Sequence, residues 1–173
     1  GGLEISDSNY LIAGNSVIQD ESYKSRTTRN IYVWVVDKTT GSVSAKQITN
    51  YQEGEGTTST PHLVKINDNK FMLLWSKDNS VYYAELNDSA NIAGEIHCID
   101  GNLSDCMPVV SGNKLIWYTW DDEVTNFYEI SLNDLDNTNV KEIQNGHDFQ
   151  STGLVNSEGT IEVKCSHCGL VKD

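Results

Sequence analysis

The apolar and polar positions of residues 59–88, STPHLVKINDNKFMLLWSKDNSVYYAELND, fall into three short runs, HLVKI, KFMLLWSK and SVYYAELN, divided by NDN and KDN. Runs of this length, rich in β-branched and aromatic residues and bounded by Asn/Asp turn chemistry, predict consecutive strands joined by hairpins. A fourth run, GEIHCID, follows the polar stretch NDSANIA. One unit is therefore four antiparallel strands in roughly 45 residues, the size of a propeller blade.

The flanking stretches read as looser copies of the same unit. IYVWVVD, VYYAELN and FYEISLN share a Tyr near the start and an apolar residue before Asp or Asn, and they place Tyr32, Tyr82 and Tyr128 at intervals of 50 and 46. A period in this range with four short strands per copy points to blades rather than to a helical solenoid. The first copy begins LEIS and NYLIAGNSV, carries the polar insert IQDESYKSRTTR, expected in a surface loop, and closes with SAKQITNY. The third runs MPVVS, KLIWYTWDD, NFYEISLN and VKEIQ, with GNK and DDEVT as hairpin turns. A fourth copy stops halfway: STGLVNSEGTIEVKCS lies over STPHLVKINDNKFMLLWS, with Ile161 at the place of Phe71 and Cys165 at that of Trp75.

The expected fold is all-β, made of antiparallel four-stranded blade repeats, a partial β-propeller of about 3.5 blades. The units fall at about 1–50, 58–100, 105–145 and 150–170 of a single domain. In a second arrangement the final half copy completes the weak first one, giving an open sandwich or partial barrel. Unpaired edges at both ends call for cover, either by a second copy in a homodimer or by a larger parent propeller.

Composition narrows the partners. Twelve Lys and Arg face 25 Asp and Glu, a net charge of −13, so the field of the chain repels phosphate backbones and anionic membranes. No apolar run approaches the roughly 18 residues of a membrane helix. Neither nucleic acid nor a membrane is an expected partner. The chain opens Gly1-Gly2-Leu3 with no methionine and no apolar leader, which reads as a piece of a longer protein.

Four cysteines are present. In the blade reading Cys98 lies on an outermost strand and Cys106 before the next innermost one, about 14 Å apart at three strand spacings, beyond disulfide reach. Both are expected free. The ending KCSHCG has the Cys-x-x-Cys spacing with which a knuckle turn grips zinc, and His147 or His167 offers a third ligand. The preferred reading makes Cys165 a small buried hydrophobe in a core Trp position, with no metal and no cofactor assigned.

Candidate ligand-binding residues are His62, Asp105, Trp120, Asp121, Asp122 and His147. Pro61 sets His62 at the start of an innermost strand, where side chains can line a propeller channel. The others belong to connections and second-strand turns, where propellers present ligands. A Trp beside carboxylates at a rim suits stacking on a sugar ring. The competing and preferred reading packs Trp75, Trp117 and Trp120 between blades, and His97 is simplest as a surface residue. The sialidase Ser-x-Asp-x-Gly-x-x-Trp box, a Gly-x-Ser-x-Gly elbow, a phosphate loop and His-Glu-x-x-His are all absent, so no catalytic residue is assigned. The Asn/Asp-rich NDN, NDSAN and NDLDN read as hairpin turns without the spacing of a calcium loop.

Across residues 1–170, the Pro- or Gly-led inner strand, Trp-bearing second strand and Tyr-bearing third strand resemble the bacterial WD40-like and Kelch-like β-propellers. Residues 147–169, with HDF and CSHCG, also resemble short His and Cys-x-x-Cys-Gly repeats of surface proteins in Gram-positive anaerobes, without their middle cysteine. These resemblances imply a non-catalytic interaction module of an exported bacterial surface protein, extracellular or at the cell surface, with a carbohydrate or protein ligand. The alternative is a substrate-positioning part of a larger glycan-active enzyme.

Overall fold

The computed structural model describes residues 2–172. The chain is all-β, and its strands make four antiparallel sheets in sequence order. Strands β1 (Gly2–Ile5), β2 (Asn9–Val17), β3 (Arg29–Asp37) and β4 (Val43–Gln47) form the first. Strands β5 (Ser59–Asn67), β6 (Lys70–Lys77), β7 (Ser80–Leu86) and β8 (His97–Asp100) form the second. The third holds β9 (Val109–Ser111), β10 (Lys114–Trp120), β11 (Val124–Ser131) and β12 (Asp134–Gln144). The fourth has three strands, β13 (Phe149–Val155), β14 (Ile161–Cys165) and β15 (Val171–Lys172). Each sheet is a simple meander, so the blade-like copies expected from the sequence are present, three with four strands and the last with three. The last copy forms its own sheet, which overturns the arrangement in which it completes the first.

The chain divides into two compact units. Unit 1 runs to Tyr118 and includes Tyr128–Asn139; unit 2 is Thr119–Phe127 with the chain from Val140 onward. In unit 1 the second sheet is apolar on both faces. Phe71, Leu73 and Trp75 of β6 pack with Leu11, Ile31 and Val33 of the first sheet. Met72 and Leu74, pointing the opposite way, pack with Leu115, Trp117, Tyr128 and Ile130 of the third. Successive side chains on a strand alternate between faces, so a strand covered on both sides reads as an unbroken apolar run. That is the origin of FMLLW. Tyr83 is buried with Met72 and Leu74, and its hydroxyl donates to the Leu135 carbonyl at 2.7 Å.

Tyr32, Tyr82 and Tyr128 each lie on the third strand of their sheets and each stacks on a tryptophan. Tyr82 meets Trp75, its cross-strand partner on β6, at 5.8 Å, and Tyr128 meets Trp117 of β10 at 4.8 Å. In the first sheet Tyr32 pairs with Gly14 on β2, and its stacking partner is Trp34, two residues along β3.

Turn chemistry explains the hairpins. Asp78 and Asn79 have φ of 52° and 60° between β6 and β7, the left-handed pair that a two-residue turn matched to strand twist requires. The sequence NDLDN departs from its expected role: of it only Asn133 lies in the turn, and Asp134 to Asn137 continue into β12. The polar insert forms a single 3-10 turn, Tyr23–Ser25, closed by the Asp20 and Arg26 ion pair. The Glu53 carboxylate then accepts the Thr27 hydroxyl at 2.8 Å and the Thr28 amide at 3.1 Å.

Candidate functional site

Four of the six candidate residues, Trp120, Asp121, Asp122 and His147, belong to unit 2, while His62 and Asp105 belong to unit 1. His62 is 4% exposed. Its Nε2–H donates to the Ser104 carbonyl at 2.7 Å, and its Nδ1 faces the Met107 sulfur at 3.2 Å. Both ring nitrogens are engaged by the loop that carries Asp105, which fixes the ring against that loop. His97 is likewise more than a surface residue: it stacks on Tyr83 at 5.4 Å and bonds Asp136 at 2.8 Å.

In unit 2 the turn between β10 and β11 is built by Asp121. Its Oδ1 accepts the amides of Val124 at 2.7 Å and Glu123 at 2.8 Å, an arrangement by which Asx side chains close turns. These amides, Val124 first, hold the carboxyl below its ordinary 3.8. Asn145 braces the same turn from β12's end. Its side-chain amide donates to the Asp121 carbonyl at 2.9 Å, and the Thr125 hydroxyl donates to its Oδ1 at 2.6 Å. Trp120, immediately before this turn, is 67% exposed. That corrects the packing expectation, which holds for Trp75 and Trp117, at 0% and 3%. Three positions separate Trp117 from Trp120, and odd separations on a strand put side chains on opposite faces.

A cleft of about 270 Å³ in the same unit is lined by Asp122, Glu123, Gln144, Gly146, His147, Asp148 and His167. Thus the structure brings Asp122 and His147 together. The Asp148 carboxyl is drawn below its ordinary 3.8 by the Ser166 hydroxyl at 2.7 Å and the Gln150 amide at 2.9 Å, with a smaller contribution from His167. The His167 Nδ1–H donates to the Gly146 carbonyl at 2.8 Å.

The ending KCSHCG forms the tight turn between β14 and β15. Gly169, with φ of +76°, donates its amide to the Cys165 carbonyl at 2.9 Å, and the Cys165 amide donates to Leu170 at 2.8 Å. Only glycine adopts that φ at no steric cost. Phe149 pairs with Cys165 across β13 and β14, which brings His147, two residues earlier, beside the turn. His147 Nδ1 lies 3.4 Å from Cys168 Sγ, and the donor atoms of His147, Cys165 and Cys168 all lie within 4.8 Å of one another. Cys165 is buried, as expected, but its sulfur meets polar groups: the His167 amide donates to it at 3.4 Å. Burial opposes its thiolate. Hydrogen bonds from the Cys168 amide, the His147 ring, the His167 amide and the Cys168 thiol outweigh that burial and draw the thiol from 9.0 to about 6. The four cysteines are free thiols.

The sequence offers Cys165 and Cys168 with either His147 or His167 as a third ligand, below a plain apolar role for Cys165. The signal was a histidine one strand pair away from Cys-x-x-Cys-Gly. No family model, no curated protein and no solved structure compared with this chain matches it.

Proposed function

We propose that the chain is a non-catalytic interaction module, a blade segment of a β-propeller in an exported bacterial surface protein, and that it binds glycan through the turn carrying Trp120, Asp121 and Asp122. The observation that carries this reading is the 67% exposure of Trp120 directly before a turn tied down by Asp121 and Asn145. An indole offers a large flat apolar face, and carboxylates beside it accept hydroxyl hydrogen bonds, the pair of contacts that a sugar ring needs. A platform fixed before binding loses little conformational freedom when the ligand arrives. The propeller assignment is supported by the run of meander sheets with apolar faces and by the recurrent stacking of a third-strand Tyr on a second-strand Trp.

The test is glycan-array binding by the whole chain and by Trp120→Ala, with folding checked by circular dichroism. The wild type is expected to bind a defined set of glycans, and the variant to lose on the order of 30-fold in affinity, as loss of an aromatic hot spot does. Equal binding by both proteins, or binding by neither, overturns the glycan reading. Capture of a protein ligand by a wild type that ignores glycans does so too.

A further inference from the structure

The second unit is short of apolar core. Among the described residues, Cys165 is the only buried side chain in it, whereas Trp120, Leu154, Val155, Ile161, Leu170 and Val171 are all about half exposed or more. Small units that cannot bury enough apolar surface are held by disulfides or metals. Here the one buried side chain is a thiol facing a second thiol and an imidazole.

We propose that His147, Cys165 and Cys168 bind one zinc ion, which supplies to the second unit the stability that a hydrophobic core supplies to the first. Zinc bonds of about 2.3 Å to sulfur and about 2.0 Å to nitrogen, set tetrahedrally, place a sulfur and a nitrogen ligand about 3.5 Å apart. The observed separation of Cys168 Sγ and His147 Nδ1 is 3.4 Å, with all three donors inside 4.8 Å. The surrounding turn also fits a metal. The His167 amide already points at the Cys165 sulfur at 3.4 Å, and Gly169 lets the chain fold back behind the two thiols. Such outer contacts orient ligands and disperse thiolate charge. Two soft sulfurs and one imidazole select zinc over calcium or magnesium, which take oxygen. Three protein ligands leave the fourth tetrahedral position to water. His167 is not one of the donors that lie within 4.8 Å of one another; its Nδ1–H is bonded to the Gly146 carbonyl. The proposal does not rest on the glycan reading.

The experiment uses the whole chain, reduced and stripped of metal, and needs no variant for its first arm. Zinc is added in increments and cysteine alkylation by iodoacetamide is mapped by mass spectrometry. Cys98, Cys106 and Cys168 are all exposed thiols, so they are matched reporters. One equivalent of zinc is expected to protect Cys168 at least tenfold and to leave Cys98 and Cys106 reactive. In the second arm, cobalt added to a Cys98→Ser, Cys106→Ser protein is expected to give a thiolate charge-transfer band that saturates at one equivalent. His147→Ala is expected to weaken binding by on the order of 100-fold, since even outer-shell losses cost 10 to 100-fold, while His167→Ala stays within about threefold. No protection of Cys168, equal protection of all the exposed thiols, or a greater loss from His167→Ala than from His147→Ala overturns the proposal.

Discussion

The Trp34 ring lies over Gly14, its Cζ3 only 3.0 Å from where a Cβ on residue 14 would stand. Gly14 is the cross-strand partner of Tyr32, the place that Trp75 fills opposite Tyr82 in the next sheet. The first copy thus keeps an aromatic pair by moving the tryptophan from the second strand to the third, and the glycine makes room for it. Gly14→Ala is expected to cost about 1 kcal/mol by crowding the indole. With Trp34→Ala already in place, the same change is expected to be neutral or stabilising, because alanine is better than glycine inside an element by about 0.5 to 1 kcal/mol. Urea melts of the four proteins of this double-mutant cycle would show the coupling.

Gly101 carries a heavier constraint. Its φ is +136°, and an added Cβ would fall 2.5 Å from the Tyr128 ring. Neither the backbone nor the stacked pair of Tyr128 and Trp117 can yield easily. Gly101→Ala should lose about 3 kcal/mol or more, combining backbone strain with overpacking, measured as a shift of the denaturation midpoint at constant slope.

Trp75 and Trp117 are both buried but differ at the indole nitrogen. Trp117 Nε1 donates to the Asn102 carbonyl at 3.0 Å, whereas Trp75 Nε1 makes no hydrogen bond among the described residues. Replacement by phenylalanine removes similar volume at each site, but only Trp117→Phe also loses a hydrogen bond. Trp117→Phe should therefore be the costlier of the two by about 1 kcal/mol, seen by comparing their chemical denaturation curves.

The Asp121 carboxyl is held below its ordinary value of 3.8 by the amides it accepts. A group whose folded pKa is depressed adds stability that is fully present above its unfolded value and is lost as pH falls through the folded one. The turn between β10 and β11 should therefore be at full strength above about pH 4 and weaken under more acid conditions. Amide exchange at Val124, followed by NMR across that range, should accelerate on acidification relative to the intrinsic rate. In Asp121→Ala it should be fast throughout, with no such relative change.

Local stability should follow the distribution of buried side chains. The β6 residues Phe71, Leu73, Leu74 and Trp75 are fully covered, while β13 and β15 have none buried. Hydrogen exchange of the metal-free chain should show the amides of β13, β14 and β15 opening at a free energy well below that of β5 to β7.

Much of this was legible in the chain itself. The alternation of short apolar runs with Asn and Asp turns marks strands because strand periodicity and turn conformation are local properties, and it located the β6 hairpins and the recurring Tyr strands. NDLDN misled for the same reason: Asp and Asn favour turns locally, but pairing with β11 carries Asp134 to Asn137 into β12. Trp120 could not be placed, since the residues of WYTW say that neighbours alternate but not which face is covered.

The sequence by itself determined the strands, their order and their grouping into four-strand copies, because these depend on contacts between residues close in the chain. Which tryptophan is buried, which histidine is engaged by a loop, and that His147 stands beside Cys165 and Cys168 were decided only by tertiary structure. Those relationships depend on which strand faces are covered and on the pairing of β13 with β14, and neither is written in the spacing of the residues concerned.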